Sequence, residues 1–298
     1  MMERGISAFI LSYNRGDFLC EAIESIMSQT VKPQQIVVFD NGSNSYVYSR
    51  VLPYLDLGVQ WVGSDVTQTA VWNFNRAIAF AESEYVLVLH DDDKLCVDFI
   101  EKQLIFLESH LQVGAVTCNG YLINKDSERV GGLVRRSFVG GRTEYYSSPI
   151  SVATRYANDS CLPFSPFLYR TKIVKGQLMS ERFGKVVDAV YFCELARKST
   201  LAYRAEALYE CRMHIEQDSN IIPETDLKRL AKYFKSACSG TESQRTELER
   251  LLRKQYTSRQ LIKLYRACWP KIRISSIILV CKGIDGEEFS IGMAAQLC

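Results

Sequence analysis

The sequence has no Cys-x-x-Cys pair, although it contains ten cysteines, and it has only three histidines. A structural zinc site needs clustered Cys and His ligands, so that class is set aside. The cysteines are scattered, several of them inside apolar stretches (Cys20, Cys118, Cys193, Cys281), and read as small core residues of a reduced protein. No apolar run is long enough to span a membrane. Ile6–Leu11 stops at Ser12-Tyr13-Asn14-Arg15, and Ile274–Cys281 contains two serines. The first run is also too short for a secretory leader, so a buried strand and a cytoplasmic location are expected. Neither charge dominates: 36 Lys and Arg against 34 Asp and Glu leave +2, which points to no polyanionic partner and no nucleic acid. Internal repeats and low-complexity tracts are missing too.

What is present is a chain of 298 residues, 47 % hydrophobic, long enough for one large α/β domain or two smaller ones. Short apolar runs alternate with amphipathic stretches through the first ~110 residues. Strands are expected at Ile6–Leu11, Gln35–Phe39, Val59–Val62, Tyr85–Leu89 and Val113–Cys118, and helices at Asp17–Ser28, Asn44–Leu55, Thr69–Glu82 and Phe99–Ser109. That pattern predicts a mostly parallel sheet covered by helices on both faces. Residues 120–165, rich in Gly, Ser, Tyr and Pro, read as a hairpin and a loop. A helix near Val186–Lys198 and strands at Leu201–Tyr203 and Leu208–Met213 follow, and the section from about 224 onward reads as mostly helical. The expected division is 1–110, 111–222 and 223–298.

In open α/β sheets ligands bind at the carboxyl ends of the strands. Here those ends carry Ser12-Tyr13-Asn14-Arg15, Asp40-Asn41-Gly42-Ser43 and His90-Asp91-Asp92-Asp93. Three adjacent carboxylates after a buried strand repel one another and call for compensation. A divalent cation, Mn²⁺ or Mg²⁺, would supply it. An acidic turn at a helix start is the alternative.

Four segments resemble, in order, the GT-A glycosyltransferases of family 2, inverting enzymes that build bacterial polysaccharides: Ile6–Arg15, Ile36–Ser43, Trp72–Ala77 and Leu89–Asp93. The resemblance implies a GT-A fold, a Rossmann-like α/β domain, here with a helical C-terminal extension. It also implies transfer of a sugar from a nucleotide-sugar donor to a glycan or lipid-linked oligosaccharide acceptor. Tyr13 would then stack on the nucleotide base, with Arg15 in the same donor-binding set, and Asp40 would accept the ring N–H of uracil or thymine. Asn75 would shape the donor pocket or cap a helix–loop contact. His90 and Asp91 would lie near the ribose or sugar, and Asp92 would ligate the metal. Asp188, in Gly184–Tyr191, would be the catalytic base, with Glu181 and Glu194 as fallbacks. Tyr209–Ser219 resembles a family segment in which Arg212 or His214 could fold over the diphosphate, and His214 could complete the metal shell.

Other readings stay open at this level. A nucleotidyltransferase would carry a Gly-rich loop after the first strand, which Tyr13–Asp17 lacks. A processive synthase would carry a Gln-x-x-Arg-Trp motif, which is missing. A binding protein with a decayed site is kept open by His90 and Val187. Arg135, Arg136 and Arg142 read either as a donor-covering loop or as a solvated basic loop. The stretch 245–273 opposes nine basic residues with only Glu247 and Glu249. It suits peripheral contact with the inner face of an anionic membrane, or an exposed helix packing its leucines on the protein body.

Overall fold

The computed structural model describes residues 3–135, 141–158, 162–213, 222–237, 240–254, 281–282 and 288–289. The chain forms two compact units, Met1–Glu249 and Arg250–Cys298. In the second, the described residues comprise a helical stretch that reaches residue 254 and a short antiparallel pair, Cys281–Lys282 with Glu288–Phe289.

The first unit opens with β1 (Glu3–Ser12), α1 (Gly16–Met27), β2 (Gln35–Asp40), α2 (Ser45–Leu55), β3 (Gln60–Val62), α3 (Ala70–Phe80) and β4 (Ser83–His90). Then come β5 (Lys94–Leu95), α4 (Phe99–Ser109), β6 (Val113–Ile123), β7 (Arg129–Leu133), β8 (Glu144–Tyr146) and α5 (Pro149–Asn158). The last elements are β9 (Phe167–Arg170), α6 (Thr171–Val174), a 3-10 turn (Glu181–Val186), α7 (Val187–Ala196), β10 (Thr200–Arg212) and α8 (Glu224–Ala237).

One mixed sheet runs β3-β2-β1-β4-β9-β6-β10-β5, with β7 on β6 and β8 on β10. β1, β2, β3 and β4 are mutually parallel, and β10 is parallel to β6. The sequence predicts the parallel part. It does not predict β9, which enters antiparallel between β4 and β6, pairing Val86 with Tyr169 and Ala115 with Tyr169 on its other edge. β10 is a single strand where two were expected; its register shifts between Arg204 and Tyr209 absorb the polar interruption.

The alternation of β1 fixes both faces of the sheet. Ile6, Ala8 and Ile10 join Leu19, Ile23, Val38, Leu87 and Leu89 in the core under α1 and α4. Phe9 points the other way, edge-on to Phe39 at 5.1 Å and to Phe80 at 6.1 Å. Side-chain caps start the next two helices: Asn44 Oδ1 accepts from Tyr46 and Val47 N–H, and Thr69 Oγ1 accepts from Trp72 N–H. Among the described residues no helix is long and apolar enough to cross a membrane. Of the stretch 245–273, residues 255–273 lie outside the described residues; within the described part Leu248 is buried.

Candidate active site

The chain lays down β1, β2 and β3 in one direction and then crosses back to place β4 on the other side of β1, so the strand order reverses there. The crevice at the carboxyl ends of β1 and β4 is the position this topology offers a ligand. The chain closes it with one carboxylate. Asp91 Oδ2 accepts the Tyr13 N–H at 2.8 Å, and Asp91 Oδ1 accepts from Arg15 Nη1 at 3.0 Å. The same Arg15 nitrogen lies 3.4 Å from Asp92 Oδ2. Asn14, at φ 56°, makes the turn between Tyr13 and Arg15.

Next to this, β2 ends in a loop wrapped around Asp40. Asp40 Oδ2 accepts from the backbone N–H groups of Gly42 and Ser43, at 3.1 and 2.9 Å. Among the described residues no group donates to Asp40 Oδ1, which is buried. Buried carboxylate oxygens are normally paired, so this oxygen keeps accepting capacity that the described residues do not use. Gly42 must be glycine: its φ is +75°, and a Cβ would come within 2.7 Å of the Thr67 nitrogen. Tyr13 is 44 % exposed. Arg76 Nη2 donates to the Asp40 carbonyl at 2.8 Å while its guanidinium lies 4.5 Å from the Trp72 ring.

Beyond β4, His90, Asp92 and Asp93 each place a ligand atom within 4.8 Å of the others. Burial pushes the Asp91 carboxyl up to about 7; Arg15 opposes the rise and Asp92 adds to it. Burial, together with the Asp92 charge, holds Asp93 well above the usual carboxylate range. Nitrogen and carboxylate oxygen donors of this kind fit Mn²⁺ or Mg²⁺, and the crowded negative charge is the electrostatic reason a cation would be held. The His90 ring also rests 5.3 Å from the Phe164 ring, and the His90 backbone N–H donates to Ser165 Oγ at 2.9 Å.

The sequence-derived residues meet here with redistributed contacts. Asp91 bonds to Tyr13 and Arg15. His90 sits with Asp92 and Asp93, a carboxylate that sequence reasoning left unassigned within the triplet. Asn75 uses its amide on one residue, donating to the Met179 carbonyl at 3.0 Å and accepting the Met179 N–H at 2.8 Å, so it ties α3 to the segment before the 3-10 turn. His214 and Arg136 lie outside the described residues. Arg135 is buried, with its N–H on Asn119 Oδ1 and its guanidinium 5.7 Å from the Tyr203 ring, so it belongs to the interior and not to a covering loop; Arg142 is exposed. Arg212 is also turned inward, away from the position over the ligand crevice expected for it.

Asp188 stands in the first turn of α7, half-buried, with Oδ1 accepting the Ala189 N–H at 2.8 Å. Aromatic contacts connect this helix to the acidic edge: Tyr191 to Phe74 at 5.2 Å, Phe74 to Phe164 at 5.1 Å, and Phe164 to His90. The turn entering α7 is held from α8. Asp226 Oδ2 accepts the Lys185 N–H at 3.0 Å, and Gly184, at φ +58°, leaves no room for a Cβ, which would meet that carboxylate at 2.2 Å. Glu181 accepts a hydrogen bond from Thr69 Oγ1, beside the Asp40 loop, whereas Glu194 is occupied by Arg197 and Tyr233.

The family model for "Glycosyl transferase family 2" matches residues 7–177. An uncharacterized glycosyltransferase of Haemophilus influenzae is 23 % identical over 228 residues, covering 72 % of this chain and 68 % of the relative. The Escherichia coli UDP-Glc:alpha-D-GlcNAc-diphosphoundecaprenol beta-1,3-glucosyltransferase WfaP is 26 % identical over 121 residues, 41 % of this chain and 47 % of that protein. Other curated relatives are matched over well under half of their length. Staphylococcus aureus TarS 1–349 in complex with UDP-GlcNAc superposes with a TM-score of 0.65 at 15 % identity, covering 91 % of this chain and 76 % of that one. The architecture is therefore the GT-A arrangement of such enzymes.

Proposed function

The chain belongs to glycosyl transferase family 2, and on that premise we propose that it transfers a sugar, with inversion, from a UDP-sugar to a glycan or lipid-linked glycan acceptor. Its relatives include enzymes of bacterial polysaccharide assembly. The observation that carries the donor assignment is the buried Asp40 Oδ1, without a partner among the described residues, at the strand ends that also carry the exposed Tyr13. An acceptor at that point suits the ring N–H of uracil, and it would face the lone pair of cytosine's equivalent nitrogen. Tyr13 supplies the stacking surface.

His90, Asp92 and Asp93 would hold Mn²⁺ or Mg²⁺. Such an ion, when bound, supplies positive charge against the departing diphosphate. The protein's own groups do the rest. Arg15 and the Tyr13 N–H hold Asp91, so the acidic loop stays fixed against β1. Asp188 takes the proton from the acceptor hydroxyl as that oxygen bonds to the anomeric carbon. The bond to the diphosphate oxygen breaks on the opposite face, which inverts the centre. The acceptor of WfaP, named as a diphosphoundecaprenol-linked sugar, supports a lipid-linked glycan and work at the inner membrane face as the setting.

Calorimetric titration of UDP, CDP, GDP and ADP in MnCl₂ tests the donor assignment. UDP should bind at least ~10-fold tighter than CDP, since a mismatched acceptor pair leaves buried groups unsatisfied. Asp40→Ala should remove most of that preference. Equal affinity for UDP and CDP in the unmodified chain would sink the uridine reading.

A further inference from the structure

Beneath the acidic loop lies a fully buried cation that the transfer chemistry does not use. The Arg212 side chain, at the end of β10, is 0 % exposed. Its Nε donates to the Asp92 carbonyl at 3.0 Å, and its backbone N–H donates to Asp93 Oδ1 at 3.2 Å. Nη1 donates to the Asn124 carbonyl at 3.0 Å and to Ser127 Oγ at 2.9 Å, gripping the turn between β6 and β7. Nη2 pairs with Glu21 Oε2 of α1 at 3.1 Å, and the guanidinium lies 4.2 Å from the Phe18 ring. Glu21 is in turn bonded by Ser127 Oγ and lies 3.2 Å from Lys94 Nζ.

We propose that Arg212 is the positioning residue of the cation site: by gripping the Asp92 peptide and the Asp93 carboxylate from below, it sets their ligand atoms for a divalent ion. A buried guanidinium is costly to desolvate and is retained where several acceptors need one rigid fork. This one joins α1, the β6–β7 turn and the acidic loop, adding to the Ser127–Glu21 and Lys94–Glu21 contacts that also tie them. Asp92 carries its carboxylate on a peptide whose orientation Arg212 Nε fixes. Groups that orient ligands in this way change metal affinity about 10–100-fold when altered. Lysine keeps the charge and can still reach Glu21, but a single ammonium cannot serve the Asp92 carbonyl and the Asn124–Ser127 turn together.

The inference rests on the His90–Asp92–Asp93 cation reading, and the experiment separates the two. UDP binding by the full chain is titrated calorimetrically with and without MnCl₂ for the unmodified protein, Arg212→Lys and Ser127→Ala. Arg212→Lys should raise the Mn²⁺ concentration for half-maximal enhancement about 10-fold. It should leave metal-free UDP affinity unchanged, and saturating Mn²⁺ should restore full binding. Ser127→Ala, a milder cut in the same network, should raise it about 2–3-fold. If UDP binding to the unmodified chain ignores Mn²⁺, the cation reading itself fails. If it responds to Mn²⁺ but Arg212→Lys shifts nothing, or weakens metal-free binding equally, positioning by Arg212 is overturned. Should Arg212→Lys not fold, Ser127→Ala decides: an unshifted Mn²⁺ midpoint overturns the proposal.

Discussion

Asp188→Asn is expected to leave UDP affinity within about twofold and to lower the transfer rate about 10³-fold, the range a positioned general base contributes. The substitution keeps the volume and can still accept the Ala189 N–H, so the first turn of α7 should persist. What it removes is a group able to take up a proton. In the proposed site nucleotide binding would depend on Tyr13 and Asp40 at the ends of β1 and β2, whereas Asp188 sits on a helix whose link to that edge runs through Tyr191, Phe74 and Phe164. The two functions should therefore separate. The check is a pair of measurements: calorimetric UDP affinity and the initial rate of sugar transfer from a UDP-sugar. If Asp188→Asn transfers at near-normal rate while Glu181→Gln does not, the base is Glu181, held near the Asp40 loop by Thr69.

The second large effect falls on Asp92. Asp92→Ala should abolish the Mn²⁺-dependent part of UDP binding, a loss of about 100-fold or more where a bound ion would supply charge against the diphosphate. Asp92→Ala also removes a negative charge that raises Asp91 and Asp93, so the apoprotein should be at least as stable as the parent near neutral pH. Loss of metal response without loss of thermal stability is the expected signature. A melting temperature lowered by many degrees would instead identify Asp92 as a structural group.

The strand ends that gather at this edge could be read from the sequence because their physics is local. Ile6–Leu11 and Tyr85–Leu89 are wholly apolar runs that end abruptly in polar residues, and such runs end where a parallel sheet meets solvent. Which side chain of the His90–Asp93 run faces which neighbour was not readable, since the chain turns sharply after β4 and strand alternation stops there. Hence His90 and Asp93 come together with Asp92, while Asp91 turns back to Tyr13. β9 escaped notice because four residues, Phe-Leu-Tyr-Arg, carry no periodicity of their own, and its pairing is set by distant strands. Arg212 and Arg135 look like surface cations in sequence; the acceptors gathered around Arg212 and the Tyr203 ring against Arg135 are contacts that strand periodicity does not show. α5 is hard to read in sequence because Ser151, Thr154 and Arg155 interrupt its apolar residues, although Ile150, Val152, Ala153 and Tyr156 are buried.

The place of β9 also limits how this molecule can be dissected. Its four residues come late in the chain yet form the hydrogen-bonded flank of β4 from Tyr85 to Val88. A recombinant fragment cut at residue 110 would present that flank bare, an unpaired apolar edge of the sort that recruits other chains. Its fate in a cell would be inclusion bodies, not a miniature nucleotide binder.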